Sequence, residues 1–121
     1  MKLFKTIFYL FITLTYVSSY SQLITRKTIK IDKIKTLIET ANHDTIKIQL
    51  LKQWADIAFL TDTDEDLRLQ KEIINICEIN LANNLENKTG KWFKEEQWIA
   101  LDHIGSIYLY DYEKTKEALK Y

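Results

Sequence analysis

IALDHIGSIYLYDYEKTKEALKY, residues 99–121, is the stretch that decides the fold. With Trp98 just before it, Leu101, Ile104, Gly105 and Tyr108 recur at spacings of three and four, the period of one face of an α-helix. A helix of roughly four or five turns is predicted, starting between Lys91 and Glu96. Gly105 lies inside that pattern, where glycine costs about 1 kcal/mol relative to alanine, so a partner helix is expected close against it. Tyr110-Asp111-Tyr112 interrupts the period, and a fifth helical segment begins after it.

Upstream the same period repeats. Ile31, Ile34, Ile38 and Ala41 mark a short helix ending near Asn42-His43. Asp44 or Thr45 is the expected cap of a second helix, whose face runs through Ile46, Leu50, Trp54, Ile57 and Ala58. A third starts at Thr63, which with Asp66 comes close to a capping box, and Leu67, Ile73, Ile74, Cys77 and Leu81 form its main stripe. Leu69, Ile76 and Ile79 widen that stripe, so contact with more than one neighbour is expected. Asn83–Gly90 reads as a loop.

The first residues read as an address. Lys2 and Lys5 precede an apolar run, Thr6 to Val17, that ends in Ser18-Ser19-Tyr20-Ser21. This is the form of a secretory signal peptide, too short in its apolar part for a bilayer core about 30 Å thick. Cleavage after Ser21 gives a mature chain of 100 residues with 15 basic and 17 acidic side chains. An exported protein, periplasmic or secreted, is expected, touching the membrane only transiently through residues 1–21; retention of that segment as an anchor is the competing reading. Residues 22–30, polar and β-branched, are read as a linker, and residues 31–121 as the folded domain.

Composition narrows the classes. The 17 basic and 17 acidic side chains cancel, which argues against a nucleic-acid partner. Two glycines and no proline leave too few turn residues for an all-β sandwich or barrel, and too few glycines for a phosphate loop. One cysteine makes neither an internal disulfide nor a multi-cysteine zinc site. The expected class is therefore all-α, held by helix packing.

The spacing in Leu101, Ile104-Gly105 and Tyr108 resembles the first helix of a tetratricopeptide repeat, in which a large residue, a Leu-Gly or Leu-Ala pair and a tyrosine recur three apart. Trp54, Ile57 and Ala58 resemble the same positions of an earlier repeat, with Thr61 where the family prefers an aromatic. Repeat-like units of about 45–84 and 91–121 follow. Ala58 and Gly105 are 47 residues apart, against a family period of about 34, which implies a longer second helix and loop. At the C-terminal end, either Tyr112 opens the second helix of the later repeat or Ala118 fills its small position after a one-residue insertion. The order of signal peptide and irregular repeats resembles the exported N-terminal region of bacterial sensor histidine kinases and related signalling proteins.

The resemblance implies antiparallel helix pairs of an incomplete α-solenoid, a fragment of a larger signalling protein or a self-associating chain. It implies a non-catalytic module without a cofactor, binding a protein or peptide. Its concave-face ligand positions carry over to Lys52, Ala55, Phe59 and Asp62, and to Ile99, Asp102, Ser106 and Leu109. Ala55 and Asp102 disfavour a carboxylate clamp, so an apolar helix or extended peptide is the expected guest.

Other candidates read as structure. Asp62-Thr63-Asp64-Glu65-Asp66 lacks the glycine and the glutamate that a calcium-binding EF-hand needs and is expected to be a solvated helix start. His43-Asp44 and Asp102-His103 are adjacent pairs whose members point about 100° apart on a helix, so neither is a hydrogen-bonded dyad. A small exported enzyme or metal binder using His43, His103 and the acidic cluster is the alternative. Cys77 is expected in the core, as are Trp54, Trp98 and Tyr108, whereas Trp92 and Phe93 are expected to be exposed or covered by a partner. Asn87-Lys88-Thr89 fits a glycosylation sequon.

Overall fold

The computed structural model describes residues 2–83 and 88–121; Asn87 of the sequon and the middle of the expected 83–90 loop lie outside the described residues. Among the described residues every regular element is helical, as expected. The elements are α1 (Lys2–Thr40), α2 (Asp44–Ala58), α3 (Thr63–Asn83), α4 (Lys88–Ser106), a π-helical turn (Ile107–Asp111) and α5 (Thr115–Ala118). The chain divides into one unit ending at Lys33 and a second, Ile34–Tyr121.

The first unit is a stretch of α1 on which Ile7 to Val17 expose every large apolar side chain. Thr6–Thr40 is long and apolar enough to cross a membrane, a test that signal sequences near an N-terminus also pass. Residues 22–30, expected as a linker, are helical. The physical reason is visible in the sequence: no glycine or proline interrupts Lys2–Thr40. Within the helix the Thr25 and Thr28 hydroxyls find acceptors in the Ser21 and Ile24 carbonyls, at 2.9 and 3.1 Å.

The second unit opens with the end of α1, where Ile34 is buried and Ile38 packs on the core, as their spacing predicts. The cap of α2 is His43, one residue before the expected pair, and its carbonyl receives the Ile46 and Lys47 amides at 3.0 and 3.1 Å. Asp44 is inside the helix and accepts instead from the Asn80 amide at 2.8 Å, tying the start of α2 to the end of α3. The start of α3 shifts in the same direction. Asp62, not Thr63, receives the Glu65 amide on Oδ1 at 3.0 Å.

Helices α2 and α3 are antiparallel, and so are α3 and α4: Asp66 near the start of α3 meets His103 near the end of α4. The middle helix packs against both neighbours. Its Leu69, Ile73 and Cys77 are buried together with Ile48, Leu51, Ala55 and Ala58 of α2 and Phe93 and Ala100 of α4. Each large aliphatic side chain so buried contributes about 1.5–3 kcal/mol of transfer free energy.

Several expected faces are rotated by about one residue. In α2 the innermost stripe is Ile48, Leu51, Ala55 and Ala58, while Ile46 is exposed. In α4 it is Gly90, Phe93, Ala100 and Ile104; Phe93 is 3% exposed and Trp98 is 63% exposed, the reverse of the expectation for both. The cause is that alanines face α3. Ala55 and Ala100 let the helices approach closely, a role that a search for large residues passes over. Trp54 is half-buried, with the Lys35 ammonium 4.8 Å and the Arg68 guanidinium 5.1 Å from its ring.

Of the two small residues expected against a partner helix, Ala58 is in the core. Gly105 is not crowded: a Cβ there would meet the Ala118 carbonyl oxygen at 3.6 Å and the Tyr121 Cβ at 3.7 Å, ordinary contacts. Gly105→Ala is therefore expected to raise stability by up to about 1 kcal/mol, measured by urea unfolding. A loss of stability would mean that the C-terminal segment sits closer than it does here.

Cys77 is fully buried, and desolvation pushes its thiol from the usual 9.0 up to about 12, with help from Glu96 and Glu78. Between those values the unfolded chain releases a proton that the folded chain keeps, so stability falls with rising pH across that window. Cys77→Ala is expected to flatten that fall when melts at pH 9 to 11 are compared. A thiol reagent is expected to label native Cys77 far more slowly than the urea-unfolded chain.

Candidate functional site

α2 and α4 both lean on α3, and a groove of about 280 Å³ remains between them. Lys52, Ala55, Asp56 and Phe59 form one wall, and Glu96, Ile99, Ala100 and His103 the other. Gln70 and Ile73 of α3 form the floor. The lining positions step by three and four along each helix, so two helical faces build the site without any loop.

The walls are joined by a direct ion pair. The Lys52 ammonium lies 2.6 Å from Glu96 Oε2, with the lysine side chain 40% exposed and the glutamate 12%. Lys52 is thereby neutralised at one end of the groove. Asp56, one turn further on, forms no ion pair among the described residues and is exposed.

The other end is built on a buried carboxylate. Asp66 is 1% exposed and accepts from the Gln70 amide at 3.1 Å on Oδ1, while His103 Nε2 lies 2.8 Å from Oδ2. With the carboxylate as acceptor, Nε2 carries the proton. The His103 ring also meets Phe59 edge-on, with centroids 5.6 Å apart. One buried aspartate thus holds the imidazole, and the imidazole holds the aromatic wall.

The other acids of 62–66 have separate duties. Asp62 caps α3, Glu65 pairs with Arg68 at 2.7 Å, and Asp64 accepts the Tyr112 hydroxyl. Arg68 holds the Glu65 carboxyl below its usual range, and the Asp64 hydrogen bond pushes the Tyr112 phenol up to about 12. The expectation of a uniformly solvated acidic start fails at Asp66. Its register gave a usable signal: Asp66, Leu69, Gln70, Ile73 and Cys77 follow the helical period, so the aspartate belongs to the buried stripe.

Of the ligand positions expected from sequence, Lys52, Ala55, Phe59 and Ile99 come together on the groove. Asp62, Asp102, Ser106 and Leu109 do not line it. The face of α4 that meets the groove continues from Ile99 to His103, and beyond Ser106 the π-helical turn changes the register that would carry Leu109 to the same side. Asp56, Glu96 and Gln70 are site residues that the sequence reading missed; His103 and the acidic cluster that holds Asp66 were named only for the alternative enzyme or metal binder, without their pairing. The adjacent Asp102 is not the partner of His103; Asp66, 37 residues away, is. His43 is exposed at the start of α2. Among the described residues no group of three histidine, cysteine or acidic side chains comes together to hold a metal ion.

Comparison of the chain with known protein families, with curated proteins and with solved structures finds no match in any of the three.

Asp66→Ala is expected to cost about 1–3 kcal/mol, because it leaves Gln70 and His103 without their acceptor in a buried place. Asp66→Asn, which keeps one acceptor oxygen, is expected to cost less. Equal stabilities of wild type and Asp66→Ala in urea would show that the pair is energetically idle.

Proposed function

We propose that this chain is a non-catalytic, tetratricopeptide-like interaction module, exported after removal of residues 1–21, whose groove binds a segment of a protein partner. The observation that carries the reading is the convergence of Lys52, Ala55, Phe59 and Ile99 on one groove. Those are four of the positions at which tetratricopeptide resemblance implies ligand contact. The groove has apolar walls that stay exposed, Phe59 and Ile99 both above half, and a helix or extended segment can lie along it. A role within a larger signalling protein accords with the same reading.

The Asp66–His103 pair favours a second reading, in which His103 acts as a general base within the groove. A buried aspartate that orients an imidazole is the supporting half of such a device. The groove lining, however, consists of aliphatic, aromatic, amide, acidic and lysine side chains beside that histidine, so no hydroxyl or thiol nucleophile stands next to it.

Peptides selected from a displayed library on the purified protein test the proposal. Their affinities, measured by fluorescence anisotropy with synthetic peptides, are expected to fall about tenfold or more on Phe59→Ala or Ile99→Asp, a change of about 1.4 kcal/mol or more. Both side chains are exposed, so helicity by circular dichroism is expected to stay unchanged. Peptides that bind equally well to both variants would defeat the groove reading.

A further inference from the structure

The contacts that span the groove set its register. Lys52 meets Glu96 and Phe59 meets His103, two pairs separated by seven residues on α2 and by seven on α4, so the walls run level with each other. Ile99 is therefore level with Ala55, and Asp56 with Ala100. Along the groove the order is the Lys52–Glu96 pair, then Ile99, then Asp56, then Phe59 with His103. An exposed carboxylate thus stands between two exposed apolar side chains, all within about 6 Å of helix axis.

That carboxylate has no cation of its own in the groove. The residue level with it on the opposite wall is an alanine, and Lys52, one turn before it, gives its ammonium to Glu96 at 2.6 Å. Lys52 and His103 stand against Asp56, Glu96 and the buried Asp66, so the site is net negative in either protonation state of His103. The surrounding unit, Ile34–Tyr121, has 11 basic and 16 acidic side chains, a net charge of −5, and its field has the same sign.

Arginine and lysine match both features at once. Their methylene stems pack on apolar surface while the charged head stays at the wet edge, and a cation beside an aromatic ring gains from the ring as well. We infer that the partner segment seated in this groove presents an arginine or a lysine to it, with the stem against Ile99 and the head between the Asp56 carboxylate and the Phe59 ring. This rests on the groove being a docking site, as proposed above. Asp56 then selects among segments that the apolar walls alone accept equally. A neutral apolar segment covers a carboxylate without pairing it, and an acidic one meets like charge.

Peptides selected from a random displayed library on the purified protein test this. Those that Phe59→Ala or Ile99→Asp weakens are synthesised, and their affinities are measured by fluorescence anisotropy. They are expected to share an arginine or a lysine, and its replacement by glutamine is expected to weaken binding about tenfold or more. Asp56→Lys in the protein is expected to weaken it to a similar degree. Glu39→Lys, the same change of charge at an exposed residue outside the groove lining, is expected to leave binding within about twofold. Asp56 and Glu39 are both exposed, and circular dichroism checks that the variants fold. Groove-dependent peptides without a shared cation overturn the inference and leave the groove reading standing, as do affinities that Asp56→Lys and Glu39→Lys change alike. If no peptide depends on Phe59 and Ile99, the groove reading falls, and this inference with it.

Discussion

The second unit depends on α3 having two neighbours to satisfy at once. A chain with one cysteine has no internal disulfide to hold it, and its core consists of the side chains that three helices bury against one another. Leu69, Ile73 and Cys77 occupy a strip wide enough to meet both α2 and α4. α2 and α4 each rest on α3, with Ala55 and Ala100 turned toward it, and do not close against each other. The groove is the space left by that arrangement, and Ile73 and Gln70 are at once core and groove floor.

Much of this was legible. The all-helical class, the starts of α2 and α3 to within a residue, and the wide face of α3 all follow from the period of three and four, whereas α1 runs unbroken from Lys2 through the expected linker and α4 starts at Lys88, inside the expected loop. The groove positions Lys52, Ala55, Phe59 and Ile99 came from the tetratricopeptide resemblance, which marks helix faces independently of residue size. The innermost stripes of α2 and α4 were harder to read because both helices carry two adjacent apolar faces. Periodicity ranks such faces by bulk, so Trp98 outweighed Ala100, whereas packing ranks them by how closely the helix axes can approach.

The Asp66–His103 pair was invisible for a different reason. A hydrogen bond between residues 37 apart depends on the antiparallel register of α3 and α4, and no single-helix pattern encodes that register. The sequence does place Asp66 on the buried stripe. A buried carboxylate needs donors, and the inventory of nearby candidates in the chain is short, since Gln70 one turn on supplies only one of them. Asking what else satisfies Asp66 would have pointed to a donor on a neighbouring helix.

That pair also connects stability with the site. Asp66 is desolvated by the same packing that buries Leu69 and Ile73, and its two acceptor oxygens fix Gln70 in the floor and His103 in the wall. His103 in turn meets Phe59 across the groove, so the two walls are held at the Asp66 end by an aromatic contact and toward the other end by Lys52 and Glu96. Fixing both walls reduces the side-chain ordering that a ligand would otherwise impose on binding. Phe59 and Ile99 project from that braced frame with more than half of their surface open to water. An apolar pair kept exposed in this way costs solubility in an isolated chain, and covering it returns that hydration free energy to whatever segment lies in the groove.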